Sequence, residues 1–206
     1  MKKIINTITI TFLIILFAGL QAFAQPQTGN ENATEWNIDR AHSAINFTIS
    51  HFFTPVNGTF EDYQATIHFD PSNLDESSID VMIPVESVNT KNEKRDNHLN
   101  SEDFFNSATW ENIHFVSNTI EQTGNNMFVA RGELTIRDKT HSFDLPFELL
   151  GVMDHPMQEN TSVAGIVASA DLMRTDYGVG VGDWAATAVV GDRVNIELNL
   201  ELTTSK

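Results

Sequence analysis

Residues 194–203 read VNIELNLELT, and this run decides the fold. Val194, Ile196, Leu198, Leu200 and Leu202 alternate with Asn195, Glu197, Asn199, Glu201 and Thr203. A period of two puts the two sets on opposite faces of a β-strand, one apolar and one wet. The same alternation runs through Ile45–His51, Ile79–Glu86 and Phe128–Arg137. Less strict versions occupy residues 58–70, 113–120, 142–150 and 163–172. Turn signals separate them, at Asp70-Pro71-Ser72-Asn73, Thr123-Gly124-Asn125-Asn126 and Gly191-Asp192.

Eight one-sided strands with short links predict an all-β, antiparallel, up-and-down barrel, because closure removes exposed strand edges. An open sandwich is the competing arrangement. Strands of about ten residues, roughly 33 Å long, favour a deep tube. Ala130, Gly132, Ala164, Ala168 and Ala170 fall on inward positions where a packed core prefers bulk, so a partly empty interior is expected.

One stretch does not alternate. Asn89–Asn106, NTKNEKRDNHLNSEDFFN, predicts a short helical insert near residues 93–106. Two readings fit it. In one, Arg95 and Asp96 pair or cap the helix while Leu99, Phe104 and Phe105 plug a barrel end. In the other, Arg95 and His98 offer donors to a polar headgroup at a mouth that the aromatics grease.

The chain opens with a secretion signal. Lys2-Lys3 precede an apolar run from Ile4 to Leu20, and Ala22-Phe23-Ala24 supplies a small-x-small site, so cleavage is expected after Ala24. Residues 25–34 read as a flexible leader and residues 35–204 as one domain. The apolar run is short and threonine-broken for a spanning helix, so the mature chain is not expected to be an integral membrane protein. Without cysteine, neither disulfides nor sulfur-linked lipid can form.

The formal net charge is −16, and losing Lys2 and Lys3 makes it more acidic. Such a surface repels nucleic-acid backbones and anionic headgroups. No nucleophile motif is present: G-x-S-x-G, S-x-x-K and cysteine are all missing. Gly178, Gly180 and Gly182 lack a βαβ context and read as a turn-rich loop rather than a dinucleotide site. The seven histidines show no paired metal-ligand spacing, so no metal site is assigned. His51, on an otherwise apolar face, is either a satisfied core histidine or a pocket-lining one.

Several of these runs, taken together, resemble the YceI-like family, the lipocalin-like polyisoprenoid-binding proteins. They are His42-Ser43-x-Ile45-x-Phe47-x-Ile49-x-His51, Val56-x-Gly58-x-Phe60, Ser87-Val88-x-Thr90, and Arg95-Asp96-x-His98-Leu99-x-Ser101-x-Asp103-Phe104-Phe105. Gly132-x-Leu134-Thr135-Ile136-Arg137, Arg174-x-Asp176-Tyr177-Gly178 and Val190-Gly191-Asp192-x-Val194 follow in order, so residues 36–202 are covered. Asp138-Lys139 and Met173 depart from the family pattern.

The resemblance implies a barrel around an apolar tunnel, export to the bacterial periplasm, and frequently a homodimer. It implies a bound amphipathic lipid, such as a polyprenyl phosphate or a quinone tail, with no cofactor and no catalysis. Candidate tunnel residues, chosen by alternation, are Ile45, Phe47, Ile49, Phe60, Ile83, Phe115, Leu134, Phe143, Phe147, Ile166, Leu172 and Tyr177. Candidates for the mouth are His51, Arg95, Asp96, His98, Phe104 and Phe105. Two alternatives stand beside this: an enzyme using Arg95, Asp96 and His98 on a lipid headgroup, and a stress-related structural protein with a filled barrel.

Overall fold

The computed structural model describes residues 32–206. The expected signal segment and residues 25–31 of the leader lie outside the described residues.

Eleven hydrogen-bonded segments make one antiparallel sheet. They are β1 (Glu35–Ile38), β2 (Ala44–His51), β3 (Thr54–Phe60), β4 (Gln64–His68), β5 (Ser78–Pro84), β6 (Val88–Asn89), β7 (Asn112–Gly124), β8 (Met127–Ile136), β9 (Lys139–Asp154), β10 (Thr161–Met173) and β11 (Val190–Ser205). The helix α1 (Glu93–Asn100) lies between β6 and β7. The segments combine into eight composite strands, three of them broken: β1 continues as β2, β3 as β4, and β5 as β6, with β1 and β6 lying outside the strands expected from the sequence. The eight composite strands pair in sequence order, and β11 closes the ring on β1 and β2. The sandwich is thereby excluded.

The first two breaks face each other. At one, Asp39 Oδ1 accepts from the Ala41 amide (2.9 Å) and Asp39 Oδ2 meets His42 Nδ1 (2.9 Å). At the other, Asp62 accepts from Arg40 Nη1 (2.7 Å), and Arg40 also donates to the Tyr63 carbonyl. The Arg40 guanidinium lies over the Tyr63 ring at 4.8 Å. One arginine thus staples both bends. The hydrogen bond from Arg40 also holds the Asp62 carboxyl below the usual carboxylate range.

Gly191-Asp192, read above as a turn, lies inside β11. There the register against β2 slips between Val190 and Val194, so the signal marked an irregularity within a strand rather than its end.

The two halves of the barrel differ in filling. Below the breaks, Phe128, Phe69 and Phe147 pack with centroids 5.1–5.4 Å apart, Phe128 and Phe147 nearly parallel at 22°. Trp36 donates its indole N–H to the Phe69 carbonyl at 2.9 Å. The small residues sit with them: Ala130, Ala164 and Ala168 are buried. A Cβ on Gly132 would lie 2.1 Å from the Val116 carbonyl oxygen, at the β7 irregularity. These positions are small because aromatics and backbone press on them. For these four the expectation of empty space is corrected, since the space is in the other half; the fifth, Ala170, is half-buried and pairs with Ile196 of the cavity wall.

Candidate functional site

Above the breaks the barrel encloses a cavity of about 490 Å³, within the roughly 300–1,000 Å³ typical of small-molecule sites. Ile45 and Phe60, the first inward residues past the breaks, begin its wall. Phe47, Ile49, Ile83, Phe115, Leu134, Phe143 and Leu172 continue it. Phe47 and Phe60 meet at 5.6 Å and Phe115 and Phe143 at 6.2 Å. Phe47 depends on a glycine opposite, since a Cβ at Gly58 would fall 2.3 Å from its ring.

Three tunnel candidates lie elsewhere. Phe147 belongs to the aromatic cluster below, and Ile166 is buried in the same lower half. Tyr177 packs edge-on against His141 at 5.0 Å, outside the lining. Burial there raises its phenol pKa. Alternation gives the face of a residue but not its height in the tube, which is why Phe147 and Ile166 were misplaced. The same pattern held residues that the candidate set omitted: Val56, Val81, Ile113, Ile136, Leu145, Val194, Ile196 and Leu198 all line the cavity.

The mouth is roofed by α1 and by the β10–β11 connection. Asn92 caps α1 by accepting from the Arg95 amide at 3.0 Å. The helix is short, and tertiary contacts hold it. Leu99, Phe104 and Phe105 face the cavity from above, with Phe105 6.4 Å from Phe60. The plug reading therefore describes their packing.

Arg95 and Asp96 do not pair in the way expected, because both grip Thr90. Arg95 donates from Nε to the Thr90 hydroxyl (2.7 Å) and from Nη2 to its carbonyl (2.8 Å). Asp96 accepts from the Thr90 amide (2.9 Å) and hydroxyl. Arg95 borders the cavity, whereas Asp96 does not, and its placement among the mouth candidates is corrected. His98 meets Asp103 at 3.0 Å and stacks edge-on against Phe104 and Trp184, at 5.0 and 4.9 Å. His51 borders the cavity at the rim, which makes it a lining residue rather than a core one. Arg95 and Asp96 share Thr90 while His98 turns to Asp103, so the three side chains do not converge as an acid–base set.

Arg174 is the functional-region residue that periodicity could not reveal. It borders the cavity yet is 3% exposed, and every contact of its guanidinium is a backbone carbonyl. Nε donates to Gly191 (2.8 Å), Nη1 to Val179 (2.7 Å) and Gly180 (3.3 Å), and Nη2 to Trp184 (2.9 Å) and Val190 (3.0 Å). Burial lowers its pKa and nearby Asp192 opposes the shift. Gly180 has φ +82°, and a Cβ there would lie 2.2 Å from Arg174 Nη1. The glycine-rich loop is thus a wrapping around one guanidinium. Trp184 and Val179, which this loop carries to the cavity, were likewise outside any strand pattern.

Among the described residues, Asp39, His42 and Glu201 bring donor atoms within 4.8 Å of one another. They lie at the strand break, away from the cavity lining, and His42 is already hydrogen-bonded to Asp39. Along β11 the outward positions Asn195, Glu197, Asn199 and Glu201 are polar, opposite to the apolar outer band of a membrane-spanning barrel. No helix among the described residues is long and apolar enough to cross a membrane.

Fold and site together define a closed antiparallel barrel with an internal apolar chamber and a polar-edged lid. Residues 36–202 match the YceI-like domain, and the chain belongs to that family. It is 30% identical over 176 residues to a UPF0312 protein of Staphylococcus aureus, spanning 84% of this chain and 99% of that one. The crystal structure of the Campylobacter jejuni YCEI protein superposes with a TM-score of 0.66 at 30% identity, covering 82% of this chain and 98% of that one. A polyisoprenoid binding domain from Saccharophagus degradans shares the fold at 12% identity, with a TM-score of 0.62 and coverage of 84% and 99%.

Proposed function

We propose that this chain is a non-catalytic carrier or store for an amphipathic lipid, most specifically an isoprenoid with a polyprenyl phosphate or quinone-type end. One observation carries the reading: a cavity of about 490 Å³ whose wall is hydrocarbon and whose polar groups gather at one end. An isoprenoid tail matches the wall, since each buried CH₂ contributes about 0.8 kcal/mol. The headgroup then lies beneath the lid, near Arg95, His98 and His51. The name of the Saccharophagus neighbour supports the same ligand class by analogy of fold. A filled-barrel structural protein fits poorly with a chamber of this size.

The signal-like N-terminus supports export to a bacterial periplasm, and the family resemblance supports a homodimer; both belong to the proposal. The test is to purify the protein from the envelope of expressing cells, extract it with organic solvent and identify the extract by mass spectrometry. A prenyl lipid at near-stoichiometric yield is the expected result. An empty extract, together with no uptake of added prenyl lipids or fatty amides, would falsify the reading. Light scattering on the same preparation reports the oligomeric state.

A further inference from the structure

The β2–β3 hairpin turns through Phe52 and Phe53, since His51 pairs with Thr54. Two-residue hairpin turns favour glycine, asparagine or aspartate there. Phe52 instead adopts φ +52°, a left-handed conformation unfavourable to a bulky side chain. Phe53 is fully exposed and Phe52 more than half exposed. Conformation and exposure both work against the fold, so packing does not account for these residues.

Their position is informative. His51 borders the cavity, and its ring stacks edge-on against Phe52 at 4.7 Å. The Phe52 amide donates to the Val189 carbonyl at 2.8 Å, anchoring the tip beside the lid loop. Ile49, His51 and the Phe52 ring therefore link the cavity wall to the tip of the β2–β3 hairpin.

Charge is balanced at this end. On this acidic chain the lid and the β8–β9 hairpin set Lys91, Lys94, Arg95, Arg137 and Lys139 against Glu93, Asp96, Glu102, Asp103 and Asp138. Interspersed signs of this kind suit a zwitterionic surface rather than an anionic one.

From these observations we infer that Phe52 and Phe53 form a membrane-docking tip that inserts into the headgroup boundary of a zwitterionic bilayer and sets the cavity mouth against it. Apolar side chains seated at that boundary hold a protein in the interface without spanning it. The bilayer is the occupant chosen because the tip is a narrow protrusion rather than a flat or concave face. It is also continuous with the wall of a chamber that already suits hydrocarbon. The inference concerns docking and does not depend on which molecule fills the cavity.

The test is flotation of the protein, purified as the cell processes it, with phosphatidylethanolamine–phosphatidylcholine vesicles. Wild type is expected to float, Phe53→Ser to bind at least tenfold less, and the Phe52→Ser/Phe53→Ser double variant to stay at background. Met157→Ser, which removes an exposed apolar side chain at the opposite end, should float as wild type does. Phe52→Gly supplies a second readout: it relieves the left-handed strain, so the melting temperature rises by a few degrees while vesicle binding falls. Wild type failing to float, or the double variant floating equally well, overturns the inference. So does a wild type that only self-associates through the tip, seen as an oligomer lost in Phe53→Ser with no vesicle binding. Lipid found by extraction but no flotation would leave the proposed carrier function standing and remove only the docking tip.

Discussion

The two ends of this barrel are built from the same strands, yet one is solid and the other hollow. Below the strand breaks, Phe69, Phe128 and Phe147 fill the tube, and small residues on neighbouring strands make way for them. Above the breaks, side chains as large as Phe47, Phe115 and Phe143 leave a chamber between them. Bulk alone does not fill space and small size does not leave it. What matters is whether rings from opposite walls meet. At the solid end Phe69 comes from across the tube to meet the adjacent pair Phe128 and Phe147 edge-on, whereas at the hollow end the rings meet others on the same side of the wall.

The contrast can be broken most forcefully at Phe128, which is 1% exposed. Phe128→Ala should lower the unfolding free energy by about 3–5 kcal/mol, the usual cost of a phenylalanine-sized void in a packed core. Urea denaturation reads it as a lower midpoint at unchanged slope. A loss below about 1 kcal/mol would show that the lower half is not solid.

A gentler probe fills the upper half. Leu172→Trp adds volume to an existing chamber, so stability should change by less than about 1 kcal/mol, where overpacking a filled core costs about 1–3. Lipid recovered per mole of protein should fall severalfold. A full complement of lipid in a stable Leu172→Trp protein would mean that the chamber is not the binding site.

The smallest effect belongs to the boundary between the halves, where Asp39 and His42 shape the first strand break. The hydrogen bond and charge of Asp39 raise the His42 pKa above its ordinary 6.5, and His42 lowers that of Asp39 below its ordinary 3.8. The His42 contribution is fully present below pH 6.5 and fades as pH rises through the raised value. That of Asp39 is present above pH 3.8 and is lost as pH falls through the lowered one. Stability from this pair is therefore greatest between those limits. Both side chains are solvent-facing, so the change in melting temperature should be slight. An NMR titration of the His42 ring is the sharper measurement, and a midpoint at or below 6.5 would contradict the pairing.

Strand number, order and closure were legible in the sequence because burial on one face imposes a period of two. The breaks were not, because Asp39–Ser43 and Glu61–Tyr63 bend through a cross-strand staple at Arg40 that no local pattern carries. Most wall residues followed from alternation, while Phe147 and Ile166 show that a periodic signal is blind to position along the axis. The lid was legible as an insert, though not in its wiring: Thr90, rather than either charged neighbour, is what Arg95 and Asp96 hold. Arg174, Val179 and Trp184 lie on an aperiodic loop; the family resemblance included Arg174, but the glycines read only as turns, and nothing in the pattern showed the loop wrapped around a guanidinium.

Closure of the ring also imposes an order of events. Ser43 Oγ donates to the Glu201 carbonyl (3.3 Å) and accepts from its amide (3.0 Å), across 158 positions of chain. Until β11 arrives the sheet has two free edges and no interior, so a chain threading out from its N-terminus holds no lipid and exposes long apolar faces. Contacts this distant in sequence form slowly. The interval between emergence of the first strand and arrival of the last is when such a chain is most open to aggregation, and when a holding chaperone would have most effect on its yield.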